Sequence, residues 1–186
     1  MTEATLRPAG GGYTPAAKAL HWIVAVLVIA LIAVGIGREF MPKGPERDFF
    51  TMLHKATGIV VLVLMFLRIR HRIANPPPPP EPGTPRWQAT ASEIVHWLLY
   101  AILLIMPVLG WVGSNALGRP VSMYGLFDLP TLVSENKVLG ESVYDWHGIL
   151  GFTALGLIVI HVGAALYHRY GRRDAVLARM TTEPAR

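Results

Sequence analysis

The sequence has no cysteine, which excludes disulfides, thiolate zinc sites, iron–sulfur clusters and covalent haem attachment through C-x-x-C-H. Charge is scarce as well: 16% of the 186 residues are charged and 52% are hydrophobic, with a mean hydropathy of +0.41. That balance is too apolar for a water-soluble domain of this length. Any metal has to be held by His, Met or carboxylate. The net charge of +5 sits at the ends of apolar runs rather than on an amphipathic face, so the basic residues read as topology signals and not as a nucleic-acid surface.

Four apolar runs, 19–37, 53–69, 94–112 and 148–167, are long enough to cross roughly 30 Å of hydrocarbon as helices. They predict an all-α, integral membrane four-helix bundle that uses the whole chain, 1–186, as one domain with the lipid bilayer as solvent. Residues 1–18 are polar and Gly-rich without a signal-peptide pattern, so the first run is expected to remain in the mature protein. The proline run within 75–82 cannot be helical and predicts a stiff extended connector. Residues 113–143 are moderately apolar and are expected to form a lid on one surface.

Eleven of the Lys and Arg residues fall on the side holding both ends of the chain, and six on the other, where they are diluted by seven carboxylates. The excess predicts that both termini are cytoplasmic. All five Trp residues fall near helix ends, as an interfacial belt requires.

Five of the seven His residues, His21, His54, His96, His147 and His161, lie in the spans or their first turns, where a polar ring is costly and usually functional. His147 and His161 are 14 residues apart, which on a helix is almost four turns and about 21 Å. One face of the fourth helix thus offers an imidazole at each of two depths. Topology supplies a partner at each level: His21 with His161 near the cytoplasmic side, His54 with His147 near the outer side. Two imidazoles per centre suit haem b. Four residues after these histidines, on the same faces, stand Ala25, Gly58, Gly151 and Ala165, small enough for a haem edge to approach. His96 competes with His21 at cytoplasmic depth, or lines a pocket. His71 reads as an interfacial residue, and His168, seven residues beyond His161, as a neighbour of a substrate or of the headgroups. Lys55, Arg47 and Arg38 on one side, with Arg68, Lys18 and Arg169 on the other, lie where haem propionates would emerge or simply snorkel.

These residues resemble the bacterial cytochrome b561 family of dihaem, quinone-linked membrane proteins, a family that includes superoxide oxidase. The likeness runs over about residues 13–180 and is carried by Leu20-His21-Trp22, Leu53-His54 with Gly58, Val63-Leu64-Met65 with Arg68, His96 with Tyr100, the stretch 104–110 with Pro107, and Trp146-His147 with His161 and His168. The resemblance implies two haem b groups, one on His21 and His161 and the other on His54 and His147, with His168 at a ubiquinone pocket. It also implies electron transfer from superoxide at the outer face to ubiquinone, making the chain an oxidoreductase. Related cytochrome b subunits share the ligand arrangement while relaying electrons for a partner dehydrogenase or hydrogenase, so a redox partner protein is the alternative. The 113–143 segment agrees least with the family.

Overall fold

A computed structural model describes residues 12–181. Four long helices make up the bundle: α1 (Pro15–Gly37), α2 (Pro45–Ala74), α3 (Arg86–Ala116) and α4 (Lys137–Leu166). Each contains a stretch long and apolar enough to cross a membrane, and the described residues contain no strand beyond one isolated bridge, Ser122 to Asp128.

The helices outrun the apolar stretches because their ends are set by local chemistry rather than by hydrophobicity. Thr14 caps α1, its hydroxyl accepting from the Ala17 N–H at 3.2 Å with Pro15 in the first turn. Glu46 and Asp48 favour the start of α2, and His71 and Arg72 its end, in the sense the helix dipole requires. The following proline run forbids continuation. Asn136 caps α4 by accepting from the Leu139 N–H at 3.0 Å. Pro107 lies inside α3, as membrane helices tolerate.

Because α3 runs on to Ala116 and α4 begins at Lys137, the connection expected over 113–143 is confined to 117–136. It folds over one end of the bundle, hereafter the lid end, and turns at Tyr124 (φ 56°) and Gly125 (φ 78°), successive left-handed residues of the kind a tight hairpin uses. Buried polar groups on α3 hold it down. Asn115 Oδ1 accepts from the Leu132 N–H at 2.9 Å, Ser114 Oγ donates to the Arg119 carbonyl at 2.8 Å, and the Trp111 indole donates to the Pro130 carbonyl at 3.1 Å. Lys55 on α2 adds ammonium contacts to Ser114 Oγ and the Pro120 carbonyl.

At the opposite, terminal end, α4 closes in a π-helical turn, Tyr167–Arg172, and Arg173 (φ 56°) reverses the chain. The returning segment, 173–181, lies across the bundle end. Lys18 and the Trp22 indole on α1 donate to the Thr181 and Met180 carbonyls. Arg179 pairs with Glu81 at 2.8 Å and donates to the Pro79 carbonyl, docking the proline connector.

The packed core is Val24 and Val28 of α1, Val61 and Met65 of α2 and Tyr100 of α3, with Ile158 the one partly buried α4 residue against it. Helix α1 packs on α2, α2 on α3, and α3 on α4. Large apolar side chains such as Val26, Phe66, Phe152 and Val159 are exposed on the outside, the pattern of a bundle dissolved in lipid.

Candidate functional site

Imidazoles on α1 and α2 face imidazoles on α4. His54, nine residues into α2, and His147, ten residues into α4, bring their ring centres to 6.2 Å with planes inclined at 63°. Further along, His21 of α1 and His161 of α4 stand 6.1 Å apart at 69°. The α4 residues are separated by the 14 positions read from the sequence, so the two pairs occupy two levels, one toward each end of the bundle. His96 of α3 joins the second level, 5.2 Å from His161.

The separations can be tested against what an iron between two imidazoles needs. A metal–nitrogen bond of about 2 Å on each side, with about 1 Å more from each nitrogen to its ring centre, sets axial rings about 6 Å apart. Both the His54–His147 and His21–His161 spacings fit, whereas the His96–His161 spacing is short. Among the described residues no three His, Asp or Glu side chains converge as a site for a bare ion. Paired imidazoles therefore suit a metal that brings its own equatorial ligands, as haem iron does.

The second ring nitrogens differ between levels. His54 Nδ1 and His147 Nδ1 are buried with no hydrogen-bond partner. At the other level the Arg68 guanidinium donates to His21 Nδ1 at 2.8 Å. A guanidinium has no acceptor, so this contact keeps the ring proton of neutral His21 on Nε2. His21 could offer Nε2 to a haem iron only if that proton moved to Nδ1 and Arg68 turned away. The lid-end pair fits without such a change. Arg68 lies over the Tyr100 ring at 5.2 Å, and Arg72 over Trp97 at 5.3 Å. Neither arginine has a carboxylate partner among the described residues, in contrast to Arg38 and Arg47, which share Glu39.

The remaining expected residues take distinct places. Lys55 is engaged with the lid, as described above. His71 Nε2 meets Thr14 Oγ1 at 3.2 Å, tying the end of α2 to the cap of α1. Of the small neighbours, Gly58 opens onto free space and Gly151 faces Met106 Cε at 3.7 Å. His168 sits in the π-helical turn, its side chain 13% exposed, with Nδ1 2.5 Å from Asp174 Oδ2. Arg172 holds the same carboxylate at 3.2 Å and the Val176 N–H donates to its other oxygen at 3.1 Å. Burial acts to raise the Asp174 pKa, but the His168 and Val176 hydrogen bonds and Arg172 outweigh it and hold the carboxylate below its ordinary value. Sequence reasoning missed Asp174, because it lies beyond the last apolar run and only the chain reversal at Arg173 brings it back.

Membrane-length helices carrying imidazole pairs at haem-ligand spacing are the architecture of a membrane cytochrome b. Residues 12–183 match the family model described as prokaryotic cytochrome b561. The chain is 35% identical over 166 residues to "Cytochrome b561 homolog 1" of Escherichia coli K12, covering 87% of this chain and 92% of the relative. To "Cytochrome b561 homolog 2" of the same strain it is 29% identical over 175 residues, 90% of each chain. To "Probable superoxide oxidase CybB" of Yersinia pestis it is 29% identical over 161 residues, covering 87% and 90%. The chain belongs to the prokaryotic cytochrome b561 family, multi-pass membrane electron carriers that bind haem b.

Proposed function

We propose that the chain is a dihaem oxidoreductase of the bacterial inner membrane that carries electrons from superoxide at the outer, lid end to ubiquinone at the cytoplasmic, terminal end. His54 and His147 hold the outer haem, and His21 and His161 the inner one. The observation that carries this reading is the presence of two imidazole pairs at axial spacing along one helix, 6.2 Å and 6.1 Å. Bound haem b supplies one-electron redox chemistry at each level. The excess of Lys and Arg at the terminal end supports the orientation, and the relative named a probable superoxide oxidase supports the donor.

The protein's own part is positional and electrostatic. Two superoxide anions each give up one electron and leave as dioxygen; one ubiquinone takes both electrons and two protons and leaves as quinol. The donor step is outer-sphere and needs no base. The quinone step needs protons at the cytoplasmic side, and His168, with Nδ1 toward Asp174, leaves Nε2 to hold one for a quinone oxygen. Asp174 orients that ring as second partners orient functional histidines elsewhere.

The test is purification in detergent, a reduced-minus-oxidised spectrum, a pyridine haemochrome count, and addition of superoxide with and without ubiquinone. Two b haems per chain, reduced rapidly by superoxide and reoxidised by quinone, are expected. Two haems unresponsive to superoxide, with a soluble dehydrogenase or hydrogenase co-purifying, would replace this reading by that of a membrane anchor. A colourless protein would end both.

A further inference from the structure

Gly35 of α1 and Gly110 of α3 occupy matching positions against the lid-end histidines. A Cβ placed on Gly35 would lie 3.2 Å from His54 Cε1 and 3.7 Å from its Nδ1; on Gly110 it would lie 3.3 Å from His147 Cε1 and 3.6 Å from its Nδ1. Apart from the glycine's own helix backbone and chain neighbours, nothing else among the described residues comes within 4 Å of either position. Glycines that serve helix packing in membranes bring backbones or aliphatic groups together; these two meet imidazole edges alone. Each ring also faces the carbonyl four residues before its glycine, Leu31 for His54 and Met106 for His147, while its Nδ1 remains short of hydrogen-bond geometry. The missing side chain is what lets each ring lie against that turn.

We propose that Gly35 and Gly110 are positioning residues that seat the His54 and His147 rings from the helices beside them and so fix the inclination of the two axial planes. The inference rests on the assignment of this pair to the outer haem. A methyl group at either site enters the ring's own space by a few tenths of an ångström, so the ring has to tilt or slide along its helix. Nδ1 is then moved relative to the carbonyl the ring faces, and it is a hydrogen bond at that nitrogen that tunes ligand strength in histidine-bound metals. Gly37, two residues beyond Gly35 and so on nearly the opposite side of α1, has nothing within 4 Å among the described residues and serves as the control for loss of a glycine from the same helix.

The experiment uses the full chain purified with its haems. The low-spin EPR signal, which reports the angle between axial ring planes, and the midpoint potential of each haem are measured in wild type, Gly35→Ala, Gly110→Ala and Gly37→Ala. The outer haem's signal is identified by its absence from His147→Ala. Both Gly35→Ala and Gly110→Ala should keep two haems and shift the signal and potential of the outer haem only, with Gly37→Ala unchanged. Gly35→Val and Gly110→Val should drop the haem count from two to one, the retained inner haem reporting an intact fold. Unshifted outer signals in both alanine variants, or an equal shift in Gly37→Ala, overturn the positioning role. Fewer than two haems in the wild type would instead overturn the dihaem assignment on which it stands.

Discussion

His96 stands edge-on to His161 with ring centres 5.2 Å apart, nearer than His21 at 6.1 Å, and it is the wider spacing that matches the roughly 6 Å an iron between two imidazoles would need. Two imidazoles thus approach His161 at the terminal level, and the spacing favours His21 as its partner in the proposed site. His21→Leu is expected to lower the haem count from two per chain to one, while His96→Leu keeps both. A pyridine haemochrome assay on the two variants checks this, and the reverse result would exchange their roles.

At the lid end no third imidazole stacks on the pair among the described residues. His147→Ala should remove one haem, leave the other's spectrum intact, and slow reduction by superoxide by at least about tenfold, since loss of even a group that only supports a metal ligand typically costs about ten- to a hundredfold. Stopped-flow absorbance in the reduced haem band measures it; retention of both haems would refute the ligand assignment.

The His168–Asp174 contact predicts a different phenotype. His168→Ala and Asp174→Asn should both retain two haems and normal reduction from the outer side, while haem reoxidation by ubiquinone falls about tenfold or more. Asp174→Asn keeps the shape of the side chain and removes its charge, so the loss tests orientation and electrostatics rather than packing. Loss of either haem in these variants would show that the pair is structural.

Acid should release the terminal cap. The Asp174 carboxyl is held below its ordinary value, so its contribution is fully present above about pH 4, the unfolded carboxylate value, and is lost as pH falls through the lower folded value. Hydrogen exchange across 173–181 should therefore stay slow at neutral pH and accelerate only well below the ordinary carboxylate range. In Asp174→Asn the same segment should exchange faster at neutral pH and show no such acid step.

Much of this was written in the order of residues. The four apolar runs specify four membrane-length helices because a backbone in hydrocarbon has to satisfy its own hydrogen bonds, and the 14-residue interval between His147 and His161 fixes two levels through helix rise alone. Helix ends were less legible: the polar first turns at Pro45, Arg86 and Lys137 belong to helices although no hydropathy pattern marks them, since the acids Glu46 and Asp48 at the start of α2 and the Asn136 cap of α4 act outside the apolar stretch. Which small residues matter was also hidden. The positions four after each histidine are plain from periodicity, but the glycines against the lid-end rings lie on other helices, and no spacing within a helix reveals a neighbour across an interface.

By itself, then, the sequence determined the number of membrane-length helices and the two levels of imidazole on α4, because these follow from backbone geometry and the cost of exposing polar groups to lipid. Tertiary structure alone decided which rings face each other, that Arg68 rather than a carbonyl meets His21, and that the chain turns back at Arg173 to set Asp174 on His168. Those outcomes depend on how helices rotate and pack about one another, a property of side-chain shape on several segments at once and of no single segment read alone.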